Sequence, residues 1–336
     1  MEMPVTEIKV SEQYSDEKLK KYLFKYFKKA PQSFIYKMLR KKNIVLNGKK
    51  ASGDEVLHEG DIIKLFMSDE TISKFTSDVD DSKLDATDVM DISDRIIFVD
   101  DNFIIIDKPS GILSQKASSD DISLNEMIRK YAIDRNLVTN ESLKVYKPSV
   151  ANRLDRNTSG IILAGVTLRG SRVLTKLIKS RLIDKYYMTI VSGEMESDIK
   201  DISYISKNST TNTSVVISKA EYDSVHNKDD YNMVETEFYP VRFENGYTLV
   251  RVKLITGKSH QIRAVSEHLG FPVAGDRRYN GGGRKMSHMM LHSYETAFPA
   301  AEGIRSILDE DEYELYEVLS KKTFTAPLPE YFESPK

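Results

Sequence analysis

Apolar positions recur along the chain with two different periods, and they divide it into unlike regions. Leu19, Tyr22, Leu23, Tyr26 and Phe27 fall at i, i+3, i+4, i+7 and i+8, which predicts an amphipathic helix. Ser15 is placed to cap it, with Asp16 and Glu17 in the first turn, and Pro31 stops it. Ser33 can cap a second helix that turns Ile35, Met38 and Leu39 inward and ends at Arg40-Lys41-Lys42. Ile44-Val45-Leu46 then reads as a strand, Asn47-Gly48 as a hairpin turn, and Ile62-Ile63-Lys64-Leu65 as a strand after Gly60-Asp61.

Beyond residue 94 the strand period dominates. Ile96–Val99 and Phe103–Ile106 read as paired strands, closed by Asp107-Lys108-Pro109-Ser110-Gly111. Lys108 precedes a proline and is therefore extended; its side chain either touches phosphate or is solvated. Residues 117–147 read as a helical connector with a polar loop around Asn140. Ile161-Ile162-Leu163-Ala164 is a buried-strand run, and Val173, Leu174, Leu177, Ile178 and Leu182 make an amphipathic helix. In Lys185–Val191, alternation sets Lys185, Tyr187 and Thr189 against Tyr186, Met188 and Ile190, which turns Tyr187 toward a cleft or water. Residues 194–233 are polar, with a loop at 209–213, and strands resume at Glu237-Phe238-Tyr239. Asn245-Gly246 is a second hairpin signal, followed by a half-buried strand from Thr248 to Leu254. Ser259 can cap a helix with Ile262, Val265 and Leu269 on its apolar face, ended by Gly270 and Pro272.

Charge sharpens this division. Residues 1–66 carry 14 basic and 9 acidic side chains, residues 67–94 carry 2 and 9, and the remainder 33 and 33, giving +5, −7 and zero. The expected organisation is thus a basic module over 1–66, an acidic flexible linker over 67–94 and a catalytic domain over 95–336. Asp78, Asp80, Asp81, Asp85 and Asp88 repel one another within that linker. With no cysteine, disulfides and thiolate chemistry are excluded. No apolar run approaches the ~18–20 residues that span a bilayer, and Met1-Glu2-Met3-Pro4 is unlike a signal peptide, so a cytoplasmic setting is expected.

The basic module resembles the S-four domain, named after a small-subunit ribosomal protein, through Ile35…Leu39-Arg40-Lys41…Val45-Leu46-Asn47-Gly48-Lys49…Gly60-Asp61. The resemblance implies a small α/β domain whose second helix and hairpin grip structured RNA by its phosphates. Arg40, Lys41, Lys42, Lys49 and Lys50 are the expected contacts. Lys20, Lys21, Lys28 and Lys29 read instead as a solvated face.

The chain is organised around Asn152-Arg153-Leu154-Asp155-Arg156-Asn157-Thr158-Ser159-Gly160. One carboxylate stands between two arginines, ahead of turn-forming residues and a buried strand; the adjacent cations favour its charged form. Taken alone, this reads more readily as an ordinary loop-end ion pair than as a site. Two further blocks keep it company: Lys185-Tyr186-Tyr187, and Leu254…Thr256-Gly257-Lys258-Ser259-His260-Gln261-Ile262-Arg263 with Gly270-Phe271-Pro272-Val273…Gly275-Asp276…Tyr279 behind it. Their order and spacing resemble the RluA family of pseudouridine synthases over nearly all of residues 95–330. Two positions depart from the family pattern: Asn152 stands where it usually has His, and Lys258-Ser259 where Arg and Thr are common.

The resemblance implies an α+β catalytic domain with a large, mainly antiparallel mixed sheet flanked by helices and a central cleft. It implies isomerisation of uridine to pseudouridine in RNA, most readily ribosomal RNA of the large subunit. Asp155 would be the nucleophile, Tyr187 would stack on the uracil and assist proton removal, and Arg263 would pair with Asp155. Arg153 would fill the gap left by the flipped base, and Arg156, Thr158, Ser159, Gly160, Thr256, Gly257, His260 and Gln261 would support the site. A redox-neutral isomerisation needs no cofactor, and a monomer without metal is expected. His288 and His292 are spaced as zinc ligands can be, but lack the Glu and third ligand of such a site. Gly281-Gly282-Gly283-Arg284 lacks the rest of a phosphate-binding loop and reads as a mobile loop near the site. The competing readings are a non-catalytic RNA-binding or ribosome-assembly protein, a synthase acting on transfer RNA, and a hydrolase; the last would want a second carboxylate.

Overall fold

The computed structural model describes residues 5–11, 14–76, 89–118, 121–208, 210–211, 213–279 and 286–333. The aspartates 78–88 of the expected linker and the 281–284 glycine-arginine stretch lie outside the described residues. The chain forms two compact units: residues 1–92, 125–149 and 165–171, and residues 93–124, 150–164 and 172–336.

The first unit holds a four-stranded antiparallel sheet in the order Val5–Lys9, Ile62–Phe66, Ile44–Leu46, Lys49–Lys50. Helices Leu19–Tyr26 and Gln32–Arg40 bury the predicted stripe, with Leu19, Leu23, Ile35, Leu39, Ile44, Ile63 and Leu65 in one core. The predicted caps are not used. Lys18 and Pro31 occupy the N-cap positions without side-chain bonds, because each helix starts on an extended residue two or three positions from the expected serine. Asn47 and Gly48 both take positive φ, 50° and 73°, as a two-residue hairpin turn needs. The Asn47 side chain also accepts from the Ile62 N–H at 2.8 Å and donates to Asp61 at 2.8 Å, tying the hairpin to the next strand.

A helix, Asp69–Phe75, opens the stretch expected as a linker. The Ser68 hydroxyl accepts from the Thr71 N–H, Asp69 and Glu70 complement the helix dipole, Ile72 is buried, and Phe75 packs on Phe34 at 4.3 Å. The first unit also takes in helices Leu124–Asp134, mostly, and Asn140–Val145. Thr139 and Ser142 form a capping box before the second, Val145 joins the core, and the Tyr26 hydroxyl donates to Glu141 at 3.1 Å.

The second unit is built on an 11-stranded mixed sheet. Its path runs Thr213–Ile217, Ile199–Asn208, Asn232–Glu244, Tyr247–Leu254, Asp184–Ser192, Leu291–Ala297, Ser159–Gly165, Phe103–Lys108, Ile96–Val99. The pairing of Leu291–Ala297 with Ser159–Gly165 is parallel and the others from Thr213 to Ala297 are antiparallel, so the expected α+β class holds. Ile161, Leu163, Phe103 and Ile105 pack with Val173, Leu174 and Leu177 of helix Leu168–Lys179. Met188 and Ile190 join a separate cluster with Met290 and Phe332. The strands Ile199–Asn208 and Thr213–Ile217 were not visible in the polar 194–233 pattern. No helix among the described residues is long and apolar enough to cross a membrane.

Candidate active site

Asp155 sits in the turn that enters the fully buried strand Ser159–Gly165. The turn is closed by the Thr158 N–H donating to the Asp155 carbonyl at 3.1 Å. The start of the strand is fixed by a close approach. Gly160 has φ +105°, and a Cβ there would stand 2.2 Å from the Ser293 carbonyl oxygen, so only glycine fits. Ser159 turns away from the cleft: its hydroxyl bonds the His292 Nδ1 at 2.8 Å and the Tyr331 hydroxyl at 3.0 Å. His292 is fully buried, with Nε2 3.3 Å from the Ala326 carbonyl, and burial pushes its pKa down to about 4. It is therefore a neutral structural imidazole.

From the other side, residues 108–114 grip the Asp155 loop. The Lys108 ammonium, fully buried, donates to the carbonyls of Pro109, Ile112 and Arg156 at 3.0, 2.9 and 3.2 Å. Gly111, at φ +92°, donates its N–H to the Arg156 carbonyl, and Arg156 Nε returns a bond to the Gly111 carbonyl at 3.0 Å. The Ser114 hydroxyl donates to the Leu154 carbonyl and accepts from the Leu154 N–H, and the Ser110 hydroxyl donates to the Asn157 carbonyl. Burial pushes the Lys108 pKa down to about 7, against the charges of Asp155 and Asp107. Lys108 is thus neither solvated nor free to touch phosphate, the two roles its place on a turn suggested.

The third wall is the turn after strand Tyr247–Leu254. Thr256 and Gln261 hold it. The Thr256 hydroxyl donates to the Gln261 side-chain oxygen at 2.9 Å and accepts from the Glu235 N–H, while the Gln261 amide donates to Thr236 and the Glu235 carbonyl. His260, not Ser259, is the N-cap of helix Gln261–His268, in a left-handed conformation at φ 57°. That unusual backbone aims its ring back toward Asp155: Nε2 lies 3.7 Å from Oδ2, and Nδ1 bonds the Tyr279 hydroxyl at 3.0 Å. Burial holds the imidazole pKa below its ordinary value, Arg263 and Arg278 adding to the effect and Asp155 opposing it.

Arg263, in the first turn of the helix, reaches Asp155 with Nη1 at 2.7 Å. Its other edge is taken by Asp276, which accepts from Nε at 2.6 Å and from Nη2 at 2.9 Å. Burial works against the guanidinium charge, but Asp276 and then Asp155 hold its pKa above the ordinary value. Neither Arg153 nor Arg156 pairs with Asp155, although sequence adjacency suggested it; the partner comes from 108 residues downstream. Tyr187 is 6% exposed and lines the same cleft. Burial pushes its hydroxyl up to about 12, with a hydrogen bond from Ser293 opposing and Asp155 adding.

These groups line one cleft of about 640 Å³, within the size range of small-molecule sites. Its basic side chains are Lys116, Arg153, Arg156, Lys185, Lys207, Lys258 and Arg263, and among the described residues its only carboxylate is Asp155, at 29% exposure. Gly257 lines it too, 3.9 Å from the Lys185 ammonium to where its Cβ would be. The structure therefore gathers Asp155, Tyr187, Arg263, Arg153, Arg156, Thr158, Gly257, His260 and Gln261 around the cleft, and leaves Ser159, Gly160 and Thr256 behind it as supports. Ser114, Asp276 and Tyr279 were not assigned roles by sequence reasoning, and Lys108 was assigned different ones. Arg40, Lys41, Lys42, Lys49 and Lys50 are exposed in the first unit. Among the described residues no group of three or more His, Asp or Glu could hold a metal ion.

Comparison with known proteins points the same way. Residues 102–268 match the model of a family described as RNA pseudouridylate synthase. A Mycoplasma capricolum protein described as an uncharacterized RNA pseudouridine synthase is 30% identical over 281 residues, 82% of this chain and 86% of its own length. Ribosomal large subunit pseudouridine synthase D of Borreliella burgdorferi is 30% identical over 236 residues, 69% of this chain and 68% of its own. Ribosomal large subunit pseudouridine synthase C of Vibrio vulnificus is 26% identical over 299 residues, 89% and 87% of the two chains. The solved structure of human RNA Pseudouridylate Synthase Domain Containing 4 shares the fold, with TM-score 0.54 at 18% identity over 72% of this chain and 91% of its own.

Proposed function

The chain belongs to the RNA pseudouridylate synthase family and is an isomerase acting on RNA, and from that premise we propose that it uses Asp155 as the nucleophile on a flipped-out uridine of large-subunit ribosomal RNA. The observation that carries this is the charge layout of the cleft: seven basic side chains line it together with, among the described residues, a single carboxylate. Cations of that number suit a phosphate backbone, and a lone carboxylate suits covalent catalysis better than the paired acid and base of hydrolysis.

The reaction breaks the N1–C1′ bond, turns the uracil and joins C5 to C1′; the C5 proton is lost and N1 gains one, so electrons balance without a redox partner. The base must leave the stack to be reached. Arg263 holds Asp155 aimed into the cleft through a charge-assisted bond. The Tyr187 ring forms a wall on which the uracil packs. Burial pushes the Tyr187 hydroxyl up to about 12, so it is a neutral phenol at neutral pH, and a part in removing the C5 proton requires it first to give up its own. Arg153 is exposed at the cleft mouth and, among the described residues, has no hydrogen-bond or ion-pair partner, which leaves it available to the RNA. Arg40, Lys41, Lys42, Lys49 and Lys50, as an S-four-like surface, supply further phosphate contacts. The relatives whose names specify the ribosomal large subunit support that substrate over transfer RNA.

The test is Asp155→Asn, purified and assayed on total RNA from cells lacking the gene, with pseudouridines mapped. The amide keeps the shape but cannot form the covalent bond, so no product is expected while RNA affinity stays near normal. Near-normal turnover would sink the nucleophile assignment, and product confined to transfer RNA with the parent enzyme would overturn the ribosomal substrate.

A further inference from the structure

We infer that Asp276 is a positioning residue for the reaction: it holds Arg263 in the one orientation that presents a single N–H to Asp155. This rests on the reading of Asp155 as nucleophile and extends it to a residue that does not touch the substrate.

An arginine carries five N–H donors in a rigid fork and, beside one carboxylate, prefers to engage it with two. Arg263 does not do this with Asp155. Its two-pronged edge, Nε and Nη2, is given to Asp276 at 2.6 and 2.9 Å, and Asp155 receives only Nη1 at 2.7 Å. Burial is graded in the same sense. The Asp276 side chain is 1% exposed, that of Arg263 7%, and that of Asp155 29%. Asp276 lies behind the guanidinium, and Asp155 lies at its cleft edge. The Tyr279 ring, 5.0 Å from the guanidinium carbon, adds a flat wall that fixes the plane of the fork.

Asp276 is itself fixed from both sides. Its Oδ1 also accepts the Arg278 backbone N–H at 3.0 Å, and its own N–H donates to the Val273 carbonyl. Gly275 brings the turn close: at φ +78° its Cβ would stand 2.1 Å from the His288 carbonyl oxygen. The same turn delivers Tyr279, whose hydroxyl accepts the Ser214 N–H and bonds His260.

The arrangement has two consequences for the chemistry. The guanidinium charge is shared between two carboxylates, so Asp155 is aimed without being enclosed in a bidentate pair. One of its oxygens, Oδ2, takes the Arg263 bond, while no bond from Arg263 reaches Oδ1. Without Asp276 the fork is free to rotate onto Asp155 and occupy both oxygens.

The experiment is a cycle of Asp276→Asn and Arg263→Lys in the full-length protein, with single-turnover rates at saturating RNA, KM and thermal midpoints. Asp276→Asn is expected to lower the single-turnover rate by about 10²-fold, as a small misplacement near the reacting atoms does, with KM within about 3-fold of the parent. In the Arg263→Lys background the same change should cost less than about 3-fold, because lysine offers no fork to orient. An equal loss in both backgrounds would show that Asp276 only supports the fold, and an unchanged rate for Asp276→Asn would overturn the inference outright. Should Asp276→Asn not fold, Asp276→Glu keeps the charge and the pair but displaces the fork; a rate loss with retained melting temperature supports the inference, and a parental rate overturns it. Asp155→Asn in parallel separates the two readings. If it remains active, the nucleophile assignment has failed; if it is dead while Asp276→Asn is fully active, only the present inference has.

Discussion

The Lys108 ammonium donates to the carbonyl of Arg156, 48 positions away, at 3.2 Å, and so fastens the segment that carries the candidate nucleophile to the end of a different strand. With its other two bonds Lys108 also closes its own turn. Carbonyls, and not a paired carboxylate, meet this head group, and burial drives its pKa down to about 7. Between that value and the ordinary lysine value, the unfolded chain binds a proton that the folded chain lacks. Stability therefore rises with pH above about 7, by at most ~1.4 kcal/mol per unit from this group, and is insensitive to it below. Lys108→Met should lower stability by about 1–3 kcal/mol through its orphaned carbonyls and abolish that rise. Urea unfolding of both proteins at pH 7 and pH 9 reads the difference; equal pH slopes would mean that the lysine keeps its full charge in the fold.

Tyr187 separates ring from hydroxyl. Tyr187→Phe keeps the cleft wall and loses only the bond from Ser293. Because the phenol is neutral near pH 7, this variant should retain turnover within about 10-fold and bind RNA normally. Tyr187→Ala removes a stacking surface worth roughly 1–3 kcal/mol and should weaken both binding and rate. A parental rate for Tyr187→Ala would place the residue in the core alone.

The contrast between these residues shows what the sequence could and could not reveal. The Asp155 turn was legible because turn-forming Asn157, Thr158, Ser159 and Gly160 precede an unbroken apolar run, a pattern local in the chain. The partner of Asp155 was not legible in the same locality: Arg156 turns to the Gly111 carbonyl, and Arg263, to which only the family resemblance pointed, is brought by a helix 108 residues on. Lys108 looked like a surface residue because its type is rarely buried, and only the convergence of three carbonyls makes burial tolerable. The edge hairpin was missed because Ile199, Ile202 and Ile205 recur every third residue, not every second. Ile202 is 54% exposed, and Ser203 takes a buried position beside Ile205. The early cap assignments failed because a serine near a helix start does not fix which residue turns extended.

Gly160 is a test of packing with an internal control. Gly160→Ala must push apart two paired strands, Ser159–Gly165 and Leu291–Ala297, since its Cβ would fall 2.2 Å from the Ser293 oxygen. We expect a loss above about 3 kcal/mol or no folded protein. Gly246→Ala meets nothing within 4 Å and carries only the cost of a positive φ, +83°, so a loss of about 1 kcal/mol is expected. Similar melting temperatures for the two variants would show that the sheet accommodates a side chain at Gly160.

Salt dependence can test the basic surface of the first unit, and point changes are better suited to it than truncation. A cut after residue 66 would divide a compact unit that also includes residues 125–149, stripping the core around Val145 and the Tyr26 partner of Glu141. Replacing Arg40, Lys41, Lys42, Lys49 and Lys50 together with Gln removes five exposed charges and leaves the core intact. Each cation that no longer meets a phosphate should reduce the slope of log K against log salt by roughly 0.7–0.9, so a surface that uses all five predicts a slope lower by about 4. Exposed Lys21 and Lys28, on the first helix and its exit, serve as the comparison; their replacement should leave the slope almost unchanged, since a solvated face releases no counterions on binding. At saturating RNA the five-fold variant should regain most of its single-turnover rate, because none of the five lines the cleft. An unchanged slope would show that this surface does not hold RNA. A reduced slope with a rate that stays low at saturation would show that it also sets the register of the target uridine.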